Sequence, residues 1–410
     1  MVPITPLRVV PIQRYRQLAD NKDCTGCGAC ASACNHQAIS MQEGRDSFVF
    51  PVVDSQKCVE CKLCEKRCPV ISTLESKNNP KPKAYAVWNN LDRRISSSGG
   101  AFSSFARKTI ANGGIVFGAA FDERLYCHHI GVDTIDGLKA LRGSKYVQSD
   151  IGDSYQSAKK ALKEGRQVLF SGTPCQIAGL YAYLNKDYPN LLTLDLACHG
   201  VPSASVFNAY LSKLSTRFAG TIKIDGFEFR RRDGWGKSPS VSLGGKLLPI
   251  YDVDSLYMNA FDACAIFRES CYHCKYAQTQ RVGDCSLADF WGIGRYGTPF
   301  KYNVLKGVSL VLVNNQKGEE ALNGLQDTMI EERTLKEALI ENHNLRQSSI
   351  MPKGRTDIIK AFLDQNMSLD QIDKKFHLVD HSFKAQVKKY ATKWHLFDPV
   401  KRLYNYYKAH

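Results

Sequence analysis

The chain has 410 residues, 43% apolar and 23% charged, which fits two or three globular domains at roughly 150 residues each and excludes a disordered chain. Lysine and arginine number 55 against 40 acidic residues, a formal charge of +15 that counts all 15 cysteines as neutral and directs attention to anionic partners. No apolar run reaches the ~18 residues of a membrane-spanning helix, and the first residues do not read as a secretory leader, so the odd cysteine count points to cytoplasmic thiol or metal chemistry.

In chain order the first signal is CTGCGACASAC, with Cys24, Cys27, Cys30 and Cys34, followed by CVECKLCEKRCP, with Cys58, Cys61, Cys64 and Cys68. Both runs have the spacing C-x2-C-x2-C-x3-C of ferredoxins that hold two 4Fe–4S clusters. Three thiolates two residues apart wrap one cubane from a single loop. The fourth starts a short helix and reaches the other cluster. This assigns Cys24, Cys27, Cys30 and Cys68 to one cluster, and Cys34, Cys58, Cys61 and Cys64 to the other. Gly26, Gly28 and Ala29 are small enough for the first loop to close tightly, and Asn35 stands where the second run has Pro69. A zinc site is the alternative, but zinc uses paired C-x2-C knuckles, four ligands per ion. Residues 72–83, STLESKNNPKPK, read as a polar linker.

Beyond it the pattern alternates. Strands are expected at 84–88, 114–121, 167–172, 191–197 and 307–314, with helical segments SGGAFSSFARKTIANGG, GDSYQSAKKALKEG, TPCQIAGLYAYLN and SASVFNAYLSKL between them. This predicts an α/β domain. Three loops, at 96–104, 142–149 and 170–176, either present backbone N–H groups to an anionic cofactor or are ordinary helix caps. Neither a GxGxxG fingerprint nor a P-loop occurs. Cys175 and Cys198 each follow an expected strand, and Cys271 and Cys274 form a C-x2-C. These four either converge on a third cluster or are free buried thiols. Cys127 reads as a plain thiol.

The ordered set SSSGGAFSSFA, GSKYVQS, FSGTPCQIAGL, DLACHGVPS, FRESCYHCKYA and RVGDCSLADFWGIG resembles the coenzyme F420-reducing hydrogenase/dehydrogenase beta-subunit family, which includes ferredoxin-dependent chlorophyll reductases. The resemblance covers residues 84–345, and a ferredoxin head is a common fusion in that family. It implies FAD (or FMN) and a further 4Fe–4S cluster on Cys175, Cys198, Cys271 and Cys274, with Cys264 or Cys285 as alternatives for the fourth ligand. The implied flavin loops carry Ser97, Ser98, Gly99 and Gly100, then Lys145, Tyr146 and Gln148, then Ser171, Gly172, Thr173, Pro174 and Gln176. His199 either donates a proton near the flavin or is held in a turn. Asp289 and Trp291 are expected to pack the loop of the cluster. Arg230, Arg231 and Arg232, near Asp233 and Trp235, read as a solvated charge run or as a holder of an anion.

Residues 374–410 hold nine lysines and arginines and two acids, a balance of +7 with aromatics interleaved, expected as a helical tail that covers the protein's own core or contacts an anionic membrane surface. The expected organisation is a ferredoxin-like α+β iron–sulfur head at 1–78, an α/β flavin- and cluster-binding domain at 79–345 and a basic helical extension at 346–410. The expected function is an iron–sulfur flavin-dependent oxidoreductase. It takes electrons from a donor such as ferredoxin, or from a reductase or hydrogenase subunit, and reduces a small organic molecule, one that is deazaflavin-like or linked to polysaccharide synthesis. The alternative is an electron-transfer subunit of a larger hydrogenase or dehydrogenase. Three clusters at about −2 each and an FAD diphosphate at about −2 nearly cancel the +8 outside the tail, so the loaded body is not expected to offer a nucleic-acid surface; a protein that binds nucleic acid or a membrane surface through its basic tail is the second alternative, and a cytoplasmic site, peripheral to the membrane at most, is expected.

Overall fold

The computed structural model describes residues 18–72, 76, 78–218, 224–230, 235, 239–296 and 298–382. Arg231, Arg232, Asp233 and the tail cations from Lys384 to Lys408 lie outside the described residues.

The head holds helix α1 (Ala29–Ala33), the strands β1 (Ile39–Glu43) and β2 (Val49–Val53), and helix α2 (Leu63–Lys66). The strands form an antiparallel hairpin with Ile39 opposite Val53. Each cysteine run has the same build. A loop carries the first thiols, a short helix follows, and the last cysteine lies at or beyond the helix end. Cys34 is the C-cap of α1, and Cys68 lies two residues beyond α2.

The body continues with β3 (Lys83–Asn89), α3 (Ala101–Ala111), β4 (Ile115–Phe121), β5 (Cys127–Val132), α4 (Leu138–Leu141), α5 (Ser154–Lys163), β6 (Val168–Gly172), α6 (Pro174–Leu184), β7 (Leu191–Leu196) and α7 (Ala204–Arg217). After these come β8 (Ile224–Glu228), β9 (Ser240–Leu243), β10 (Lys246–Pro249), α8 (Leu256–Asp262), β11 (Cys285–Asp289), β12 (Ser309–Val313), α9 (Gln316–Asn323), β13 (Thr328–Arg333), α10 (Leu335–Ile340), α11 (Arg355–Leu363) and α12 (Leu369–Phe376). The five expected strands fall on β3, β4, β6, β7 and β12, and the four expected helices on α3, α5, α6 and α7.

Eight strands form a mixed sheet in the order β13-β3-β12-β11-β7-β6-β4-β5. Its centre, β11-β7-β6-β4, is parallel, and β5, β12, β3 and β13 each pair antiparallel with their neighbours. The central strands, such as LVLV in β12 and VLF in β6, are buried on both faces and read as continuous apolar runs. Because β4, β6, β7 and β11 run the same way, their carboxyl ends open on one edge, where α/β sheets build sites.

A second core lies beside the sheet. Phe207 and Tyr210 of α7, Tyr257 and Phe261 of α8, and Phe227 and Phe229 pack with Ile359 and Phe362 of α11 and Ile372 of α12. Phe48 of the head joins this cluster. The segment read as a linker is stitched down where it is described. The Asn78 side chain donates to the carbonyls of Arg281, Val282 and Gly283 at 2.9–3.1 Å, and Asn79 N–H donates to Asn314 O.

Candidate functional site: three thiol quartets and a cavity

Two small cavities in the head are each lined by one set of four thiols. The inner one is bordered by Cys24, Cys27, Cys30 and Cys68, and the outer one by Cys34, Cys58, Cys61 and Cys64. These are the groupings the spacing assigns, each crossing from one run to the other. Burial pushes the Cys27 thiol up to about 12, with Cys24, Cys68 and Cys175 among the neighbours that add to it. The outer quartet is more open: Cys61 is exposed, and Val59 beside it is 59% exposed.

The third grouping forms at the sheet's carboxyl edge. Cys175 follows β6 at the start of α6, Cys198 follows β7, and Cys271 and Cys274 come from the turn before β11. Burial raises all four thiols, to about 12 at Cys175 and Cys271, and Cys271 and Cys274 add to the rise at Cys175 and Cys198. Cys264 and Cys285 stand apart: Cys285 is buried in β11 against the Gly318 carbonyl, and Cys264 Sγ faces the Asp262 carbonyl. Cys127 is buried in β5, away from all three quartets.

A cubane fits such quartets better than a single ion. Each thiolate binds a different iron, so the four sulfurs stand wider apart than around one metal. Among the described residues no three His, Cys, Asp or Glu groups converge closely enough for a single ion. Thiols raised this far by burial stay protonated until a metal displaces the proton.

The head is built into the body at this point. Helix α1 packs on α6, and Gly179 of α6 permits the approach, since a Cβ there would stand 3.1 Å from Cys27 Sγ and 2.7 Å from the Tyr155 hydroxyl. Tyr155 and Tyr276 both lie beside Cys27 and Cys175, between the inner head quartet and the body quartet. Arg355 of α11 pairs with Asp46 of the head at 2.5 Å.

Above the body quartet opens a cavity of about 300 Å³. Cys175 and Cys198 are on its wall, and Thr25 lines both this cavity and the inner head cavity. Of the loop residues expected to hold a flavin, Ser97, Ser98, Gly100, Lys145, Tyr146, Gln148, Ser171, Gly172, Thr173 and Gln176 line it. Gly99 and Pro174 do not: Gly99 O accepts from Asn89 N–H, and Pro174 is buried in the first turn of α6. Gln176 completes a capping box with Thr173 and donates to Ser149 O at 3.0 Å, tying two of the loops together. No side chain caps the N-terminus of α3, which opens beside the cavity. His199 is on the wall, its carbonyl accepting from Ser349 Oγ at 2.5 Å and its ring edge-on to His343 at 5.5 Å.

Several wall residues escaped the sequence reading. His129 joins Ser149 Oγ at 2.8 Å and Ser171 O at 3.1 Å, and burial lowers it to about 4, so the ring is neutral. Nε2–H donates to the carbonyl, which leaves Nδ1 to accept from the hydroxyl. Arg142 is held by buried Asp92 at 2.9 Å. At the rim Arg230 is buried and paired with Asp289, a correction to the solvated run read from the sequence. Trp235 stacks on Trp291 at 4.7 Å and donates to Asp289 Oδ1 at 2.7 Å, so Asp289 and Trp291 organise the cavity rim.

Residues 165–338 match the family model for the C-terminal part of the coenzyme F420 hydrogenase/dehydrogenase beta subunit, and residues 23–71 match a 4Fe–4S dicluster domain. An uncharacterized protein of Methanocaldococcus jannaschii is 24% identical over 344 residues, which cover 73% of this chain and 86% of that protein. The coenzyme F420-dependent sulfite reductase of the same organism is 23% identical over 339 residues, 76% of this chain and 47% of the reductase, so the chain spans about half of that relative's length. A ferredoxin of Pyrobaculum islandicum is 28% identical over 87 residues, 20% of this chain and 77% of the ferredoxin. A chain of the F420-reducing NiFe hydrogenase complex from Methanosarcina barkeri superposes with a TM-score of 0.41 at 14% identity, covering 72% of this chain and 92% of that one. Over residues 165–338 the chain is therefore similar to the C-terminal part of the coenzyme F420 hydrogenase/dehydrogenase beta subunit, and it carries a 4Fe–4S dicluster domain at its head.

Proposed function

We propose that this chain is an iron–sulfur electron-transfer subunit of a larger oxidoreductase, with three cluster sites and a flavin site. The single observation that carries the reading is the order of the thiol quartets. The outer one is open to solvent, the inner one touches the body, and the body quartet lies on the wall of the large cavity. Bound clusters supply single-electron relays, and a flavin (FAD or FMN) couples single electrons to two-electron chemistry.

The chain's own residues supply position and seclusion. Cys24, Cys27, Cys30 and Cys68 hold the inner cluster, Cys34, Cys58, Cys61 and Cys64 the outer, and Cys175, Cys198, Cys271 and Cys274 the third. The open N-terminus of α3 and the loops of Ser97, Lys145 and Thr173 offer N–H groups and charge to a flavin's phosphates. His129 fixes the Ser171 carbonyl and, being neutral, adds no charge. Leu287, Phe261 and Trp291 add apolar surface to the wall. The exposed face around Cys61 is where a redox partner, a ferredoxin or a partner subunit, docks. Contact of the basic tail with an anionic membrane surface belongs to the same proposal. No helix among the described residues is long and apolar enough to cross a membrane.

A second reading, a self-contained reductase of a small organic substrate with His199 as proton donor, draws support from one feature. The head is bolted to the body through buried contacts such as Asp46–Arg355, as expected of a chain that carries its own electron supply. The two separate in a turnover assay on the anaerobically purified chain. As a subunit it accepts electrons from dithionite but does not turn over small organic acceptors alone. Steady turnover by a monomeric chain overturns the subunit reading in favour of the reductase.

A further inference from the structure

The buried guanidiniums around the quartets are almost all matched by a carboxylate. Arg281 pairs with Asp195 at 2.7 Å, Arg355 with Asp46, and Arg230 with Asp289. Arg268 differs. It is 1% exposed, and its partners are neutral: Nε donates to Cys24 O at 2.6 Å, Nη2 to Val49 O at 2.9 Å and Nη1 to Gln148 Oε1 at 3.3 Å. Its planar head lies over Phe50 at 4.3 Å and Phe48 at 5.4 Å. Among the described residues no carboxylate pairs with it.

Its placement is specific. The Cys24 carbonyl belongs to the inner head loop, and on the body side the Cys271 N–H donates to the Arg268 carbonyl at 3.0 Å. Gly26 leaves room for it, since a Cβ there would stand 2.9 Å from Nη1. An arginine stays protonated at any pH a protein survives, and a buried cation without a counter-charge is costly. A four-thiolate iron–sulfur cubane is negative, and each one-electron reduction adds one more negative charge with no bond made or broken. The missing counter-charge is thus what two flanking clusters provide.

We propose that Arg268 is the shared counter-charge of the inner head cluster and the body cluster: a positioning residue that raises both reduction potentials above the value their thiolates alone would set. This rests on the reading of the quartets as cluster sites. The outer quartet is not placed beside Arg268, so its potential is independent of it.

The test is an EPR-monitored redox titration of the anaerobically purified full chain, with dithionite as reductant, on wild type, Arg268→Gln, Arg268→Lys and Gln148→Glu. The outer signal is identified by its loss in Cys58→Ala. Arg268→Gln is expected to shift two of the three cluster potentials downward and leave the outer one in place, whereas Arg268→Lys retains most of the wild-type values. Gln148→Glu sets a carboxylate against Nη1 and lowers the same two potentials without deleting the arginine, which keeps the test open if Arg268→Gln fails to fold. Unmoved potentials, or an equal shift of all three, in a variant with full iron content overturn the role of Arg268 while leaving the cluster sites standing. Two signals instead of three in the wild type defeat the body cluster and the coupling together.

Discussion

Serine in place of one ligand thiol removes a negative donor that no neighbour among the described residues replaces, because Cys264 and Cys285 point into other surroundings. Single Cys→Ser changes at 175, 198, 271 or 274 should each cost about four of about twelve irons, while Cys127→Ser, Cys264→Ser and Cys285→Ser leave the iron count unchanged, as read by iron and sulfide assay. His129 carries a pH signature. It is neutral in the fold and lowered to about 4, whereas an unfolded histidine titrates near 6.5. Its contribution is fully present above about pH 6.5 and is lost as pH falls toward 4, reaching about 2 kcal/mol by pH 5. Denaturation of wild type and His129→Asn at pH 7 and pH 5 should show that much less acid sensitivity in the variant. The head cysteines were legible because their runs have the spacing of a two-cluster ferredoxin, and residues 23–71 match a dicluster domain; Cys175, Cys198, Cys271 and Cys274, far apart in the chain, were grouped only through the family resemblance. Arg268 and His129 were not legible, since a lone arginine or histidine acquires its role only from groups far away in sequence, such as Cys24 or Ser171.

At the scale of elements the contact of α1 with α6 decides whether the head is a fixed part of the molecule. Gly179→Ala drives a methyl toward Cys27 and the Tyr155 hydroxyl, and overpacking of this kind costs about 1–3 kcal/mol. Limited proteolysis should then release the head sooner, and iron should be lost from the inner cluster first. Asn78→Ala removes a donor shared by three carbonyls and should cost about 1–3 kcal/mol, with new cleavage near residues 72–83. The central strands β4, β6, β7 and β12 were readable as apolar runs, whereas β11 (CSLAD), equally central, was not, because Ser286 and Asp289 interrupt its apolar pattern. The edge strands were not: β5 (CHHIGV) and β13 (TMIEER) alternate or expose polar residues and resemble loops in isolation. Helices α11 and α12, expected in a basic extension, bury Ile359, Phe362 and Ile372 in the body's second core. Their apolar faces are short, and only the tertiary contacts with α7 and α8 reveal the partner.

For the whole molecule the opening charge of +15 takes on a location. Among the described residues the buried arginines near the quartets are matched by acids, Arg268 excepted. Twelve thiols in three groups, if each group holds a cubane, offset a further share of that charge. On this reading one chain holds an outer, an inner and a body cluster leading to a flavin. The most direct measurement is the iron, sulfide and flavin content of the anaerobically purified full chain. About twelve irons and one flavin per chain are predicted; about eight irons with no flavin would contradict it and leave a dicluster ferredoxin joined to a domain of another purpose.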